Sequence, residues 1–165
     1  LMALANKFNW LVLSTGNKTE LALGYCTLYG DMNGGLSVIS DLSKTKVYEL
    51  SNWINNHKGC ITIPKNSIKK PPSAELAPEQ VDPFDYSIVS PIVDAIVEDG
   101  KTIKHILEEG YDSRLVKSIY NRIRNNEYKR RQAAPGLRVS KKAFGIGRRM
   151  PIVNQYYIKK DSFEL

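Results

Sequence analysis

Histidine and cysteine are scarce: His57, His105, Cys26 and Cys60 are the full complement in 165 residues. Two cysteines cannot make a disulfide framework, and these four residues lack the spacing of a Cys/His zinc site. Cys26 reads as a small buried hydrophobe rather than a nucleophile, and nothing resembling a catalytic triad stands in the sequence. No apolar run approaches the roughly 20 residues of a membrane span, and no charged-then-apolar leader precedes a small-residue cleavage site. The expected location is therefore cytoplasmic, with no membrane partner. Internal repeats and low-complexity tracts are absent. Acidic residues nearly vanish between positions 117 and 149, where Glu127 alone opposes Lys117, Arg122, Arg124, Lys129, Arg130, Arg131, Arg138, Lys141, Lys142, Arg148 and Arg149. That surplus, within a net charge of +7, favours polyanions or phosphate-bearing ligands. An initiator methionine is missing too: LMALANK opens with the character of mid-helix, as in a piece of a longer protein.

What is present suits one globular domain, with 42% hydrophobic and 25% charged residues. Residues 10–13 form an unbroken apolar run that predicts a short strand covered on both faces, as in a parallel sheet. Residues 14–17 make the turn. From Lys18, Leu21, Tyr25 and Leu28 beside Ala22, Cys26 and Tyr29 fall at helical spacing, which predicts a helix ended by Gly30. Asn17 at its N-cap and Glu20 three places on match a capping box. A strand–turn–helix junction aims free N–H groups past the strand's carboxyl end, where open α/β sheets bind phosphates and nucleotides.

Residues 36–42 lead to Ser43, a natural N-cap, and Val47, Leu50 and Ile54 continue a buried face. Lys44 and Lys46 break a local rule by standing in that helix's first turn, where the dipole disfavours cations. An approaching anion would account for them. Residues 61–63 predict a second brief strand, and Pro64 suits the first position of a helical turn. Pro71 and Pro72 hold Ser73 in an extended corner, and residues 74–85 form an aperiodic loop or lid. Ser90-Pro91 predicts the start of a helix to about residue 99, residues 102–109 make another stopped by Gly110, and Asp112 caps a third with Leu115, Val116, Ile119, Tyr120 and Ile123 inward. Lys129-Arg130-Arg131-Gln132, followed by the helix-breaking Ala-Ala-Pro-Gly, is expected to bend over a site and offer guanidinium forks to a pyrophosphate.

The blocks STGNKTELALGYCTLYGDMNGG, LSKTKVYELSNWI, IPKNSIKKPPSAEL and EYKRRQAAPGLRVSKKAFG, in this order over residues 1 to about 150, resemble the synthetase domain of NAD⁺ synthetases, most closely the longer, glutamine-hydrolysing form. The resemblance implies the adenine-nucleotide α-hydrolase fold, a Rossmann-like parallel α/β sheet with flanking helices, here a partial sheet followed by a mostly helical C-terminal region. It implies a ligase that adenylates deamido-NAD⁺ with ATP and Mg²⁺, after which ammonia, made from glutamine by a separate domain, displaces AMP. By matching position, Thr15, Lys44 and Ser73 resemble ATP contacts. Glu20 resembles the carboxylate that holds magnesium or touches deamido-NAD⁺. Tyr25, Cys26, Thr27, Leu28, Asp31, Lys129 and Arg130 resemble the rest of the deamido-NAD⁺ site. The family's Ser-Gly-Gly-x-Asp-Ser phosphate loop and its glutaminase domain are not in this sequence, so residues 1–165 are expected to be the C-terminal portion of a synthetase domain, inactive alone and part of a homo-oligomer when whole. Two other functions compete: a basic nucleic-acid-binding module, against which stand the dispersed Tyr120, Tyr128 and Phe144 and the lack of any DNA-binding signature, and a non-catalytic assembly half.

Overall fold

The computed structural model describes residues 1–153. Helix α1 (Met2–Phe8) leads to strand β1 (Leu13–Ser14), helix α2 (Lys18–Leu23) and strand β2 (Leu36–Ser37). The strands are parallel, with Leu13 opposite Leu36 and Ser14 opposite Ser37, and Gly136 makes a further parallel bridge to Ser37. The fold is thus α/β with a partial sheet. The strand falls later than expected and is not covered on both faces: Trp10 and Leu11 are each 65% exposed, and it is Leu13 and Ser14 that pair with β2.

The expected long helix is short. Asn17 and Glu20 form the capping box, but Gly24 turns left-handed at φ 66°, and its N–H closes on the Glu20 carbonyl. Asn126 fills the space that a Cβ at Gly24 would need, and its amide donates to the Leu23 carbonyl at 3.1 Å. Tyr25, Cys26, Thr27 and Leu28 therefore lie on the following loop, not on the helix.

Helix α3 (Lys44–His57) starts at Ser43 as expected, yet buries none of its residues completely, and Leu50 is exposed. In its first turn Lys44 bonds Thr19 of α2 and Lys46 pairs with Asp94 of α5 (Tyr86–Val97). Residues 61–63 form no strand; Asn55 instead holds this segment, accepting from the Thr62 and Ile63 N–H groups at 2.9 and 2.8 Å. Helix α4 (Lys65–Lys69) follows Pro64, which is its N-cap. Helix α5 begins earlier than expected, because Asp85 caps it by accepting from the Ser87 N–H at 2.9 Å, and Pro91 lies inside. The proline cannot donate to the Ser87 carbonyl, and Ser87 lies on the exposed side of the helix.

Helix α6 (Ile103–Glu108) is capped by Thr102, which the sequence placed inside the helix, α7 (Ser113–Asn125) by Asp112 as expected, and α8 (Glu127–Arg130) follows. Val89, Ile92, Val93 and Ile96 of α5 pack with Ile106 of α6 and Val116, Ile119 and Ile123 of α7, against Ala22 and Leu23 of α2. This core backs α2, so it fixes the helix whose first turn holds Glu20.

Candidate functional site

Three successive residues of α2 tie its first turn to neighbouring elements. Glu20 accepts a hydrogen bond from the Lys44 ammonium at 2.9 Å through Oε1, while Oε2 accepts the Asn17 N–H of the capping box at 3.1 Å. Thr19, completely buried, accepts from the Lys44 N–H at 3.1 Å and shares a hydrogen bond with Ser90 at 3.0 Å. Lys18, also buried, meets Asp41 at 2.8 Å, Glu98 at 2.6 Å and the Ser140 hydroxyl at 2.8 Å. The anion expected beside Lys44 is therefore Glu20 of the same chain. Lys46 is satisfied likewise, by Asp94 at 3.0 Å and Glu98 at 3.1 Å.

Beside the Glu20–Lys44 pair lies an aromatic wall. The Lys44 ammonium sits 5.4 Å from the centre of the Tyr86 ring, and the Tyr86 hydroxyl donates to Asp82 at 2.8 Å. Burial raises the Tyr86 hydroxyl far above its ordinary range, and the Asp82 carboxylate pushes the same way. Tyr25 is raised in the same manner by burial and by Asp82, and its ring stands edge-on to Phe84 at 5.3 Å. The loop of residues 74–85 thereby covers the cluster.

The segment after Gly24 forms a tight loop beneath. Asp31 accepts from the Thr27 N–H at 2.7 Å, the Ser14 hydroxyl donates to the Asp31 carbonyl at 3.1 Å, and Leu28 is half-buried. Burial pushes the Cys26 thiol up to about 11, against the opposing pull of Lys129. That keeps it protonated near neutrality, consistent with an inert side chain.

The late basic residues do not swing free. The Lys129 ammonium donates to the carbonyls of Gly24 and Cys26 at 2.8 and 2.7 Å. All five N–H groups of Arg130 are engaged: Nη1 with the carbonyls of Leu21 and Ala22, Nη2 with Ile123 and Glu127, and Nε with Glu127. Burial lowers the Arg130 guanidinium from its usual value, with Glu127 opposing. The expectation that this pair bends over an open site is corrected, because the carbonyl end of α2 attracts cations and takes their donors.

The structure thus brings Glu20, Lys44 and Tyr25 together and sets Cys26, Thr27, Leu28 and Asp31 on the adjoining loop, which Lys129 of α8 holds through the Gly24 and Cys26 carbonyls. Thr15 is exposed, three residues before Lys18. Ser73 stands apart, its hydroxyl accepting from the Glu75 N–H at 3.0 Å; only the Asp82 N–H bond to the Pro72 carbonyl at 2.8 Å links its corner to the cluster. Sequence reasoning missed Lys18, Asp41, Asp82, Tyr86, Glu98 and Ser140. For Asp82 and Tyr86 the four-residue spacing was a usable signal; for Lys18 and its partners, 23 to 122 positions distant, no local signal exists.

Among the described residues no group of three or more His, Cys, Asp or Glu side chains could hold a metal. A lone carboxylate such as Glu20 does suit Mg²⁺, which takes one or two carboxylates and completes its shell with phosphate oxygens and water. No helix among the described residues is long and apolar enough to cross a membrane.

The model of a family described as NAD synthase matches residues 1–133. The chain is 49% identical over 160 residues to the glutamine-dependent NAD(+) synthetase of Synechocystis sp., covering 95% of this chain and 28% of that protein. It is 48% identical over 159 residues to the glutamine-dependent NAD(+) synthetase of Thermotoga maritima, covering 94% and 28%. The chain thus spans 28% of the length of these curated relatives. The crystal structure of a glutamine-dependent NAD(+) synthetase from Cytophaga hutchinsonii superimposes with a TM-score of 0.70 at 21% identity, covering 93% of this chain and 26% of that one, and so shares its fold.

Proposed function

Because the chain belongs to the NAD synthase family, we propose that it carries part of the substrate-binding machinery of a carbon–nitrogen ligase that converts deamido-NAD⁺ to NAD⁺ with ATP. The nicotinate carboxylate would attack the α-phosphorus of ATP and release pyrophosphate; ammonia, derived from glutamine elsewhere in the whole protein, would then displace AMP. No covalent protein intermediate is needed, so the chain's part is positioning and charge neutralisation.

The observation that carries this reading is the Glu20–Lys44 pair, 2.9 Å long, at the carboxyl end of β1 beneath the Tyr86 ring. An exposed ion pair adds little stability, yet both side chains here are about four-fifths buried at a loop-covered mouth. Lys44 is assigned to the ATP phosphates, with Thr15 and Ser73 as further ATP contacts, Ser73 from the separate corner after Pro72. Glu20, with the phosphates, would hold Mg²⁺, which when bound neutralises phosphate charge. Tyr25, Cys26, Thr27, Leu28 and Asp31 line the side assigned to deamido-NAD⁺. Lys129 shapes that loop through its two carbonyl bonds, and Arg130 supports it from behind.

Titration of the chain with ATP at varied magnesium tests the assignment. Affinity should rise with magnesium, Glu20→Gln should remove that dependence, and Lys44→Ala should weaken ATP about tenfold, as expected for one charge-assisted contact. NAD⁺ formation from deamido-NAD⁺, ATP and ammonia is not expected from the chain alone. Indifference to magnesium and to both substitutions, together with duplex-DNA affinity falling steeply with salt, would instead select the nucleic-acid-binding reading.

A further inference from the structure

A hollow of about 500 Å³ lies between α2 and the chain after α8, away from the residues assigned to ATP, and its walls are held in place by identifiable contacts. Asp41, on its floor, accepts the N–H groups of Val139 and Ser140 at 2.8 and 2.7 Å and is itself paired with buried Lys18, so the outer wall is moored to the core. Burial acts to raise the Asp41 carboxyl, but Lys18, Ser140 and Val139 outweigh it and hold it below the usual carboxylate range. Gly136 approaches Ser40, and Gly147 approaches the Ala143 backbone, so closely that a Cβ on either would overlap its neighbour. These are the contacts of a formed cavity rather than a loose tail.

Its chemistry is two-sided. Leu21, Ala134, Pro135 and Phe144 give it an apolar lining. Four arginines also line it: Arg130, whose N–H groups are all engaged, shares Glu127 with Arg131, whereas among the described residues Arg138 and Arg149 bond to backbone carbonyls, of Ser140 and Lys141 and of Gly145, and keep donors for a ligand. With Asp41 matched by Lys18, the cavity carries surplus positive charge. We infer that this hollow binds an organic phosphate with a flat apolar body, of about the size of a mononucleotide: the volume is that of a small-ligand site, and arginine forks match phosphate oxygens. The inference does not rest on the ligase reading, which shares only Arg130 with this lining, as a support, and uses none of residues 133–149.

Calorimetric titrations at fixed ionic strength with AMP, adenosine and inorganic phosphate test it, performed on the 165-residue chain carrying Lys44→Ala so that the contribution of the Glu20–Lys44 mouth is weakened. AMP should bind more tightly than either fragment, and adding Arg138→Ala and Arg149→Ala should weaken it at least about tenfold with an unchanged circular dichroism spectrum. Ala134→Trp, which fills the cavity without touching its charge, should abolish binding and serves if the arginine variant fails to fold. The assignment is overturned if AMP does not bind, if adenosine binds as tightly as AMP, or if AMP affinity stays within about twofold in a folded arginine variant or in Ala134→Trp.

Discussion

Replacing Lys18 by methionine isolates the ionic cluster that joins α2, α5 and the chain after α8. Lys18 is completely buried and meets Asp41 at 2.8 Å, Glu98 at 2.6 Å and Ser140 at 2.8 Å. Removing one partner of a buried ion pair costs about 3–5 kcal/mol, because a buried charge is left behind. Here the residual charges are cushioned: Asp41 keeps three donors from Val139 and Ser140, and Glu98 keeps Lys46 at 3.1 Å. The lower end, about 3 kcal/mol, is therefore expected. With a urea dependence of about 2 kcal/mol per molar, the unfolding midpoint at pH 7 should fall by about 1.5 M. Lys46→Met, whose side chain is 39% exposed, should cost less than about 1 kcal/mol. Acidification supplies a second readout. Asp41 and Glu98 both have lowered folded-state pKa values, burial notwithstanding, through Lys18 and their other hydrogen-bond donors. Their contribution is present above the unfolded carboxylate pKa of about 4 and is lost as pH falls through the folded values. Without Lys18 both carboxyls titrate nearer their unfolded values, so the gap between wild type and variant should shrink between pH 7 and pH 3. A midpoint shift below about 0.5 M at pH 7, or a gap that widens on acidification, would refute the view that Lys18 is the charge these carboxylates are built around.

Gly24→Ala should destabilise by about 2 kcal/mol or more, from a left-handed φ of 66° and overlap with Asn126; combined with Asn126→Ala it should cost less than the sum of the two single changes, checked by thermal unfolding. Glu127→Gln leaves the buried Arg130 guanidinium without its carboxylate and should cost about 3 kcal/mol in urea unfolding, whereas Arg131→Ala, partly exposed, should cost under about 1 kcal/mol. With its thiol held near 11 by burial, Cys26 should resist iodoacetamide at pH 8 while exposed Cys60 reacts, a difference that peptide mass mapping reads and that should vanish in denaturant.

The elements legible in the sequence are those whose signals are local. Asn17 with Glu20, and Asp112, each satisfy N–H groups two or three residues ahead, and Gly110 adopts the left-handed conformation that ends its helix. The inward face of α7 follows from spacing alone, since Val116, Ile119 and Ile123 need only a shared side to find the core. Where the reading fails, distant residues decide. Helical periodicity runs on through Leu28, yet the chain leaves the helix at Gly24, where Asn126, 102 positions later, occupies the adjoining space and bonds the Leu23 carbonyl.

The three lysines of the candidate site show how far charge reasoning reaches. Lys44 and Lys46 were conspicuous because a cation in a first helical turn opposes the dipole, and each does meet an anion. The rule predicts that a negative charge approaches but is silent on its origin, and both anions prove to come from this chain. Lys18 occupies the same kind of position in α2, yet its burial depends on Asp41, Glu98 and Ser140 arriving from three other segments. Helix position therefore identifies a cation that needs an anion, whereas the fold decides whether that anion is internal. At Lys18 three buried contacts complete the pairing and leave no room for a ligand; at Lys44 a single carboxylate under a loop answers the charge. That contrast supports the ligand-facing role proposed for Lys44 and gives Lys18 an architectural one.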